Sequence, residues 1–249
     1  MSGVRDETLR VLWRGDREAA VLKPAGLSSE RSETSGIEPR AGDSAITRAR
    51  RQFGWHDAQL PHRLDRPTSG ILMIAADRTA VALHGEEQRA GRWTKWYVAR
   101  IPATVAGGGA ATALVGPHKA YIRRRGRLAE CVRSGGDPAR LEVLLVTPGA
   151  DRPSESHALI RLDTGRFHQI RVMFASLGVP LIGDGEYGST ASSAAFELVS
   201  AGLRIERADH SVAIEVPEDA IQGASAEIRA RLRAELSVRQ ADARPHGAP

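Results

Sequence analysis

Apolar positions along this chain come in short blocks whose spacing switches between the strand period and the helix period. LRVLWRGDREAAVLKP (9–24) predicts two short strands around a Gly15-Asp16 turn, with Lys23-Pro24-Ala25-Gly26 closing the second. Ile71 to Ala75 is an unbroken apolar run of strand length, which predicts a strand buried on both faces. Asp77 is placed to cap a helix running to about Arg89, with Gly91 as its stop. KWYVARI (95–101) and LEVLLV (141–146) predict further strands, and HALIRL (157–162) alternates before an Asp163-Thr164-Gly165 turn. The period then changes. Ile170, Met173, Phe174 and Leu177 fall at i, i+3, i+4 and i+7, one face of a helix that Gly178 and Pro180 end.

LRIER and VAIEV (203–207, 212–216) predict a hairpin, and EIRARLRAEL (227–236) a terminal helix before a frayed tail at 243–249. The polar, Ser/Gly/Pro-rich stretch 28–45 predicts a mobile surface loop, and 106–113 and 134–137 shorter loops. No segment repeats another. Many strands and few helices predict an α+β fold: a mixed, mainly antiparallel sheet with flanking helices and loops. The expected organisation is a single domain over 1–249, with a C-terminal helix and tail at 219–249.

Composition narrows the class. With 249 residues, 41% hydrophobic and 26% charged, the chain can bury a core. Its apolar runs are too short to span a bilayer, and MSGVRDETLRVL lacks the apolar stretch of a secretory signal, so a soluble cytoplasmic protein is expected. Cys131 is the single cysteine, which excludes an internal disulfide. Of the 35 basic residues three are lysine (Lys23, Lys95, Lys119) and 32 arginine. Arginine forks phosphates and stacks on bases, and a pI of about 9.9 favours a polyanionic partner.

Two segments carry candidate chemistry. In PHRLDRPTSGIL (61–72), Asp65 stands between Arg63 and Arg66, just before the buried run. A carboxylate held at a strand end is well placed as nucleophile or general base, and either arginine would keep it ionised. An ordinary solvated turn has the same composition. In TGRFHQIR (164–171), Arg166, His168 and Arg171 sit at a helix start, where they can hold phosphate, pair with a carboxylate, or decorate a polar face. Gly183-Asp184-Gly185-Glu186-Tyr187-Gly188 matches G-x-G-x-x-G, but Pro180 interrupts the preceding run, and two acids would crowd a pyrophosphate. The eight histidines are scattered, His56 and His62 lie six apart, and no metal site is expected.

HRLDRPTSGIL, KWYVA, LDTGRFHQIRV and GDGEYG, in this order, resemble an RluA-type RNA pseudouridine synthase, and VLKPAGL (21–27) resembles the family's lysine-proline-glycine turn. The resemblance runs from about Leu9 to Val216. It implies the pseudouridine synthase fold and the conversion of uridine to pseudouridine in RNA, without metal or organic cofactor. It assigns Asp65 as the essential aspartate and Tyr97 as the tyrosine that packs on the base and handles a proton. It makes Arg171 the aspartate's ion-pair partner, and Arg63 the arginine that displaces the target base. In the first motif it adds His62, Thr68, Ser69 and Gly70 as RNA- or base-binding positions. From the other motifs it adds Lys23, Lys95, Arg166, His168 and Gln169. Met173 and Ser200 depart from the pattern, each standing where the family usually has histidine.

The expected partner is RNA, a tRNA or rRNA stem-loop, acted on by a monomer with no required protein partner. Base flipping from a single-stranded loop keeps the unstacking cost low. The 28–45 loop, Tyr121 to Arg125 and the terminal helix are candidates for further RNA contact. The competing expectations are an RNA-binding or RNA-chaperone protein that keeps the fold without turnover, and a dinucleotide-dependent oxidoreductase built on Gly183 and Gly185.

Overall fold

A computed structural model describes residues 8–30, 43–149, 152–191 and 195–238. Most of the 28–45 loop and the whole of the 243–249 tail lie outside them. Ten strands form one sheet: β1 (Arg10–Arg14), β2 (Glu18–Lys23), β3 (Ser69–Ala75), β4 (Trp93–Pro102), β5 (Gly116–Arg125), β6 (Leu128–Val132), β7 (Asp137–Pro148), β8 (Glu155–Leu162), β9 (Leu198–Glu206) and β10 (Ser211–Glu215). Their order is β1-β2-β3-β9-β4-β8-β7-β5-β6, with β10 paired to β9. Every pairing is antiparallel except β3 with β9. The four helices are α1 (Ala45–Phe53), α2 (Arg78–Arg89), α3 (Gln169–Ser176) and α4 (Ala226–Ser237).

Helices cover both faces of the sheet, so its central strands are buried on both sides. In β3, Leu72 and Ile74 join the core beneath α1 and α3, while Ile71 and Met73 join the core beneath α4. HALIRL is therefore no half-exposed strand: in β8, Ala158 and Ile160 enter one core and Leu159 the other. Asp77 caps α2 by accepting the Ala80 N–H at 3.0 Å, and Gly91 follows the helix with φ 69°. At its described ends the 28–45 segment is anchored, with Ser29 and Ser44 buried and Ser44 capping α1.

The parallel β3–β9 pairing sets Gly70 opposite Ser200. Gly70 has φ 111°, and a Cβ there would lie 2.3 Å from the Ser200 carbonyl oxygen, so the two backbones approach this closely only with glycine. Ser200 also lies opposite Tyr97 of β4. The start of β3, which carries the Asp65 loop, is thus fixed beside Tyr97.

A buried ionic network ties the outer elements together. Glu18 on β2 accepts from Arg207 at 2.6 and 2.8 Å and faces His84 of α2 at 3.0 Å. Glu87 accepts from His84, Trp93 and Arg207. Burial works against ionisation of Glu18, but the hydrogen bonds from His84 and Arg207 outweigh it and hold the carboxyl at about 2. Its ordinary value is 4.5, so its contribution to stability is complete above that pH and is lost as pH falls toward 2. Thermal melts stepped from pH 5 to pH 2 should show a falling Tm whose slope flattens in Glu18→Gln; an unchanged slope would refute the network's role.

Candidate active site

Two turns are knitted together to hold Asp65. Ser29 Oγ donates to the Leu64 carbonyl at 2.7 Å and accepts the Leu64 N–H at 3.1 Å. Gly26 N–H donates to the Arg66 carbonyl, and Arg66 Nε donates back to the Gly26 carbonyl. Lys23 sits beneath both turns, fully buried. Its ammonium donates to the carbonyls of Leu27 (2.7 Å), Pro24 (3.0 Å) and Arg66 (3.3 Å). Burial lowers its pKa to about 8, opposed by the Asp65 charge. Expected as an RNA contact, Lys23 is fully buried and instead ties the 24–27 turn to the backbone just after Asp65.

Asp65 opens into a cleft of about 570 Å³ lined by its own loop, by β4, and by the turn that enters α3. Its carboxylate lies 3.9 Å from His168 Nε2 and 4.0 Å from Arg171 Nη1. Among the described residues, neither carboxylate oxygen accepts a hydrogen bond. The expectation that Arg63 or Arg66 lowers its pKa fails: Arg63 pairs with Glu30 at 3.3 Å, and Arg66 bonds to Gly26. Burial instead pushes the Asp65 carboxyl up, with His168 and Arg171 pulling against it.

Arg171 is nearly wholly buried, and Asp65 is not its main partner. Its Nε and Nη2 form a two-point fork with Asp184 at 2.8 and 2.7 Å, and Nη2 also donates to Glu186 at 2.6 Å. These contacts raise the guanidinium's pKa despite burial, so it stays charged. The acids of GDGEYG, an obstacle to a dinucleotide, are therefore the counter-charges of the helix-start arginine. The tyrosine of that motif is also engaged. Tyr187 Oη lies 2.8 Å from His168 Nδ1 and accepts the Ala129 N–H at 2.8 Å. His168 is held at φ 53°, stacked on Phe167 with ring centroids 3.8 Å apart.

Tyr97 lies on β4 as part of the cleft wall rather than as a lid over it. Burial lifts its phenol to about 12, the Ser200 hydrogen bond opposes the shift, and the Asp65 charge adds to it. Arg63 and Arg166 are exposed at the rim, and Lys95 and Thr68 line the interior. Burial lowers the Lys95 pKa. The Thr68 hydroxyl is buried without a hydrogen bond among the described residues.

Of four other expected contacts, His62 and Gln169 line the cleft while also bonding within the fold, and Gly70 and Ser69 lie outside it. His62 Nε2 accepts the Met73 N–H at 3.0 Å, and burial, followed by the Lys95 and His84 charges, pulls its pKa to about 3, leaving it neutral. Gln169 Oε1 accepts from the Thr164 hydroxyl and the Arg166 N–H, and its Nε2 donates to the Arg140 carbonyl. Gly70 is the β3–β9 contact point, and Ser69 lines a separate cavity with Val199, Arg100 and His157. Met173 is buried in the apolar core, and neither it nor Ser200 lines the cleft.

The chain matches a family model described as RNA pseudouridylate synthase over residues 19–176. It is 33% identical over 192 residues to Ribosomal large subunit pseudouridine synthase D of Xanthomonas campestris pv. campestris, covering 74% of this chain and 53% of that protein. It is 32% identical over 185 residues to Dual-specificity RNA pseudouridine synthase RluA of Escherichia coli, covering 73% and 78% respectively. It thus spans about half the length of the first relative and most of the second. Among solved structures, Human RNA Pseudouridylate Synthase Domain Containing 1 superposes with a TM-score of 0.66 at 22% identity, covering 94% of this chain and 98% of that one. Human RNA Pseudouridylate Synthase Domain Containing 4 gives 0.63 at 18% identity, covering 90% and 93%. At these identities the two superpositions establish the fold: a pseudouridine synthase sheet.

Proposed function

Because the chain belongs to the RNA pseudouridylate synthase family, we propose that it isomerises a uridine to pseudouridine in a structured RNA, with Asp65 as the catalytic group. The observation that carries this reading is the Asp65 carboxylate: accepting no hydrogen bond among the described residues, it opens into a cleft and faces a charged arginine at 4.0 Å. The uridine leaves its stack and enters the cleft, and exposed Arg63 at the rim takes up the space behind it. Ionised Asp65 attacks the sugar or removes its proton, and the N1–C1′ glycosidic bond breaks. The detached uracil turns in place and C5 bonds to C1′; in the attack route this displaces the Asp65 carboxylate from C1′, and in the abstraction route Asp65 returns its proton to the sugar carbon. The C5 proton is then removed while N1 gains one, so atoms and charge balance without an oxidant. Arg171 stabilises the Asp65 anion from a position that Asp184 and Glu186 fix. The unpartnered Thr68 hydroxyl and the Lys95 ammonium are donors for the uracil edge.

The scheme is complete within one chain and needs no residue from a second copy; we infer a single catalytic domain acting as a monomer. No helix among the described residues is long and apolar enough to cross a membrane, and a cytoplasmic tRNA or rRNA stem-loop is the substrate we infer. Met173 and Ser200 leave the charged groups of the cleft intact, so the non-catalytic alternative has no structural observation in its favour. Purified protein incubated with bulk tRNA and rRNA should generate new carbodiimide-reactive uridines at one or a few positions. A complete absence of new pseudouridine on every RNA would sink the isomerase reading.

A further inference from the structure

The β5–β6 hairpin adds a feature to the cleft that the scheme above leaves unused. Strand alternation sends Arg123 and Arg125 to Glu130, at 2.7 and 3.7 Å, and Arg124 to the opposite face. There the Arg124 guanidinium lies over the Phe167 ring, 4.4 Å from its centroid, at the rim of the cleft that holds Asp65. Phe167 in turn stacks on His168 with an interplanar angle of 19°, and His168 Nε2 is 3.9 Å from Asp65. The result is a column of flat groups, His168–Phe167–Arg124, that starts beside the reacting carboxylate and ends in an exposed cation.

Arg124 has no carboxylate partner among the described residues, and its Nε is oriented by the Gly126 carbonyl at 3.0 Å. The hairpin that carries it is fastened beside α3 through the Ala129 N–H to Tyr187. The guanidinium is therefore held over an aromatic ring by one backbone bond, and the side chain is otherwise exposed. Such a plane suits a nucleobase better than a phosphate, because bases stack on guanidinium faces, whereas phosphates take the in-plane N–H groups.

Resting on the reading that a uridine flips to Asp65, we propose that Arg124, backed by Phe167, is a stacking subsite for the nucleobase of the nucleotide next to the target. The column spans two stacking steps from His168, comparable to the reach of one extended nucleotide. Single-stranded loops supply such a base; a continuous duplex does not.

The test uses the full chain and short hairpin RNAs with uridine-containing loops, in which one abasic nucleotide is stepped through the loop positions. Binding is read by fluorescence anisotropy for wild type, Arg124→Met and Phe167→Leu. At one position, loss of the base should weaken wild-type binding about tenfold, the scale of one lost stack. Both variants should bind the intact hairpin about tenfold more weakly and show no further loss with the abasic one. A penalty of equal size in wild type and variants, no penalised position, or no hairpin binding at all would overturn the subsite. Nucleosides from the same mixtures are analysed separately. A coupled stacking penalty, with no pseudouridine in these hairpins or in bulk tRNA and rRNA, would refute the isomerase reading and leave the base subsite standing.

Discussion

Asp65→Asn lowers pseudouridine formation by about a thousandfold or more while the protein melts within a few degrees of wild type. The activity loss follows from chemistry: an amide is neither a nucleophile nor a base at neutral pH, and removing such a group costs at least the range of general acid–base catalysis. The small effect on stability follows from geometry. The Asp65 side chain is 25% exposed and no nearer than 3.9 Å to a cation, so no formed hydrogen bond is lost. Arg171 keeps Asp184 and Glu186. Nucleoside analysis of the modified RNA together with a thermal melt decides the matter. Turnover near the wild-type rate would remove Asp65 from the mechanism, whereas unfolding would make it a structural residue.

Asp184→Ala should cost about 3–5 kcal/mol, the scale for removing one partner of a buried ion pair, and lower Tm by about 10 °C. Arg171 would be left charged at 3% side-chain exposure, with Glu186, itself half exposed, as its nearest remaining anion. Released from the Asp184 fork, the guanidinium is free to close on Asp65, so activity should fall as well. The double variant Asp184→Ala/Arg171→Met should recover part of the stability, because it removes the stranded charge together with its partner. Denaturant titration measures both effects. A single-variant loss below about 1 kcal/mol would mean that Asp184 does not hold the arginine.

The elements legible in the sequence were those whose period or caps are local. Asp77 and Gly91 bracket α2, the i, i+3, i+4, i+7 set marks α3, and the alternation in 203–216 marks the β9–β10 hairpin. Helix α1 escaped because its buried face is only Ala45, Ile46 and Ala49 on an arginine-rich background. Strands β5 and β6 escaped because they lie at the edge of the sheet, where most of β5 is exposed and carries no apolar alternation. The motifs brought Asp65, Tyr97 and Arg171 to one cleft, but they could not sort contact residues from supports. Lys23, His62 and Gln169 look alike as ligand-binding groups in one dimension; burial, a tertiary property, takes Lys23 out of reach, while His62 and Gln169 stay in the cleft wall and also bond to backbone. The role of Asp184 was hidden in a similar way. Its partner lies 13 residues earlier on a different element, and only the turn after α3 brings the two together.

The one parallel seam in the sheet also bears on how the protein is made. Asp65 is held at the start of β3, and β3 begins against β9, some 130 residues further along the chain. A nascent chain that has not yet reached Leu198 contains the aspartate, the tyrosine and the arginine, but not the strand that sets the first two in register. Contacts of this sequence separation form late and slowly, since a long loop must close before they are rewarded. Under the proposed mechanism, competence therefore waits until the chain has passed β9, and a fragment ending before Leu198 would remain inert although it carries every charged group of the cleft.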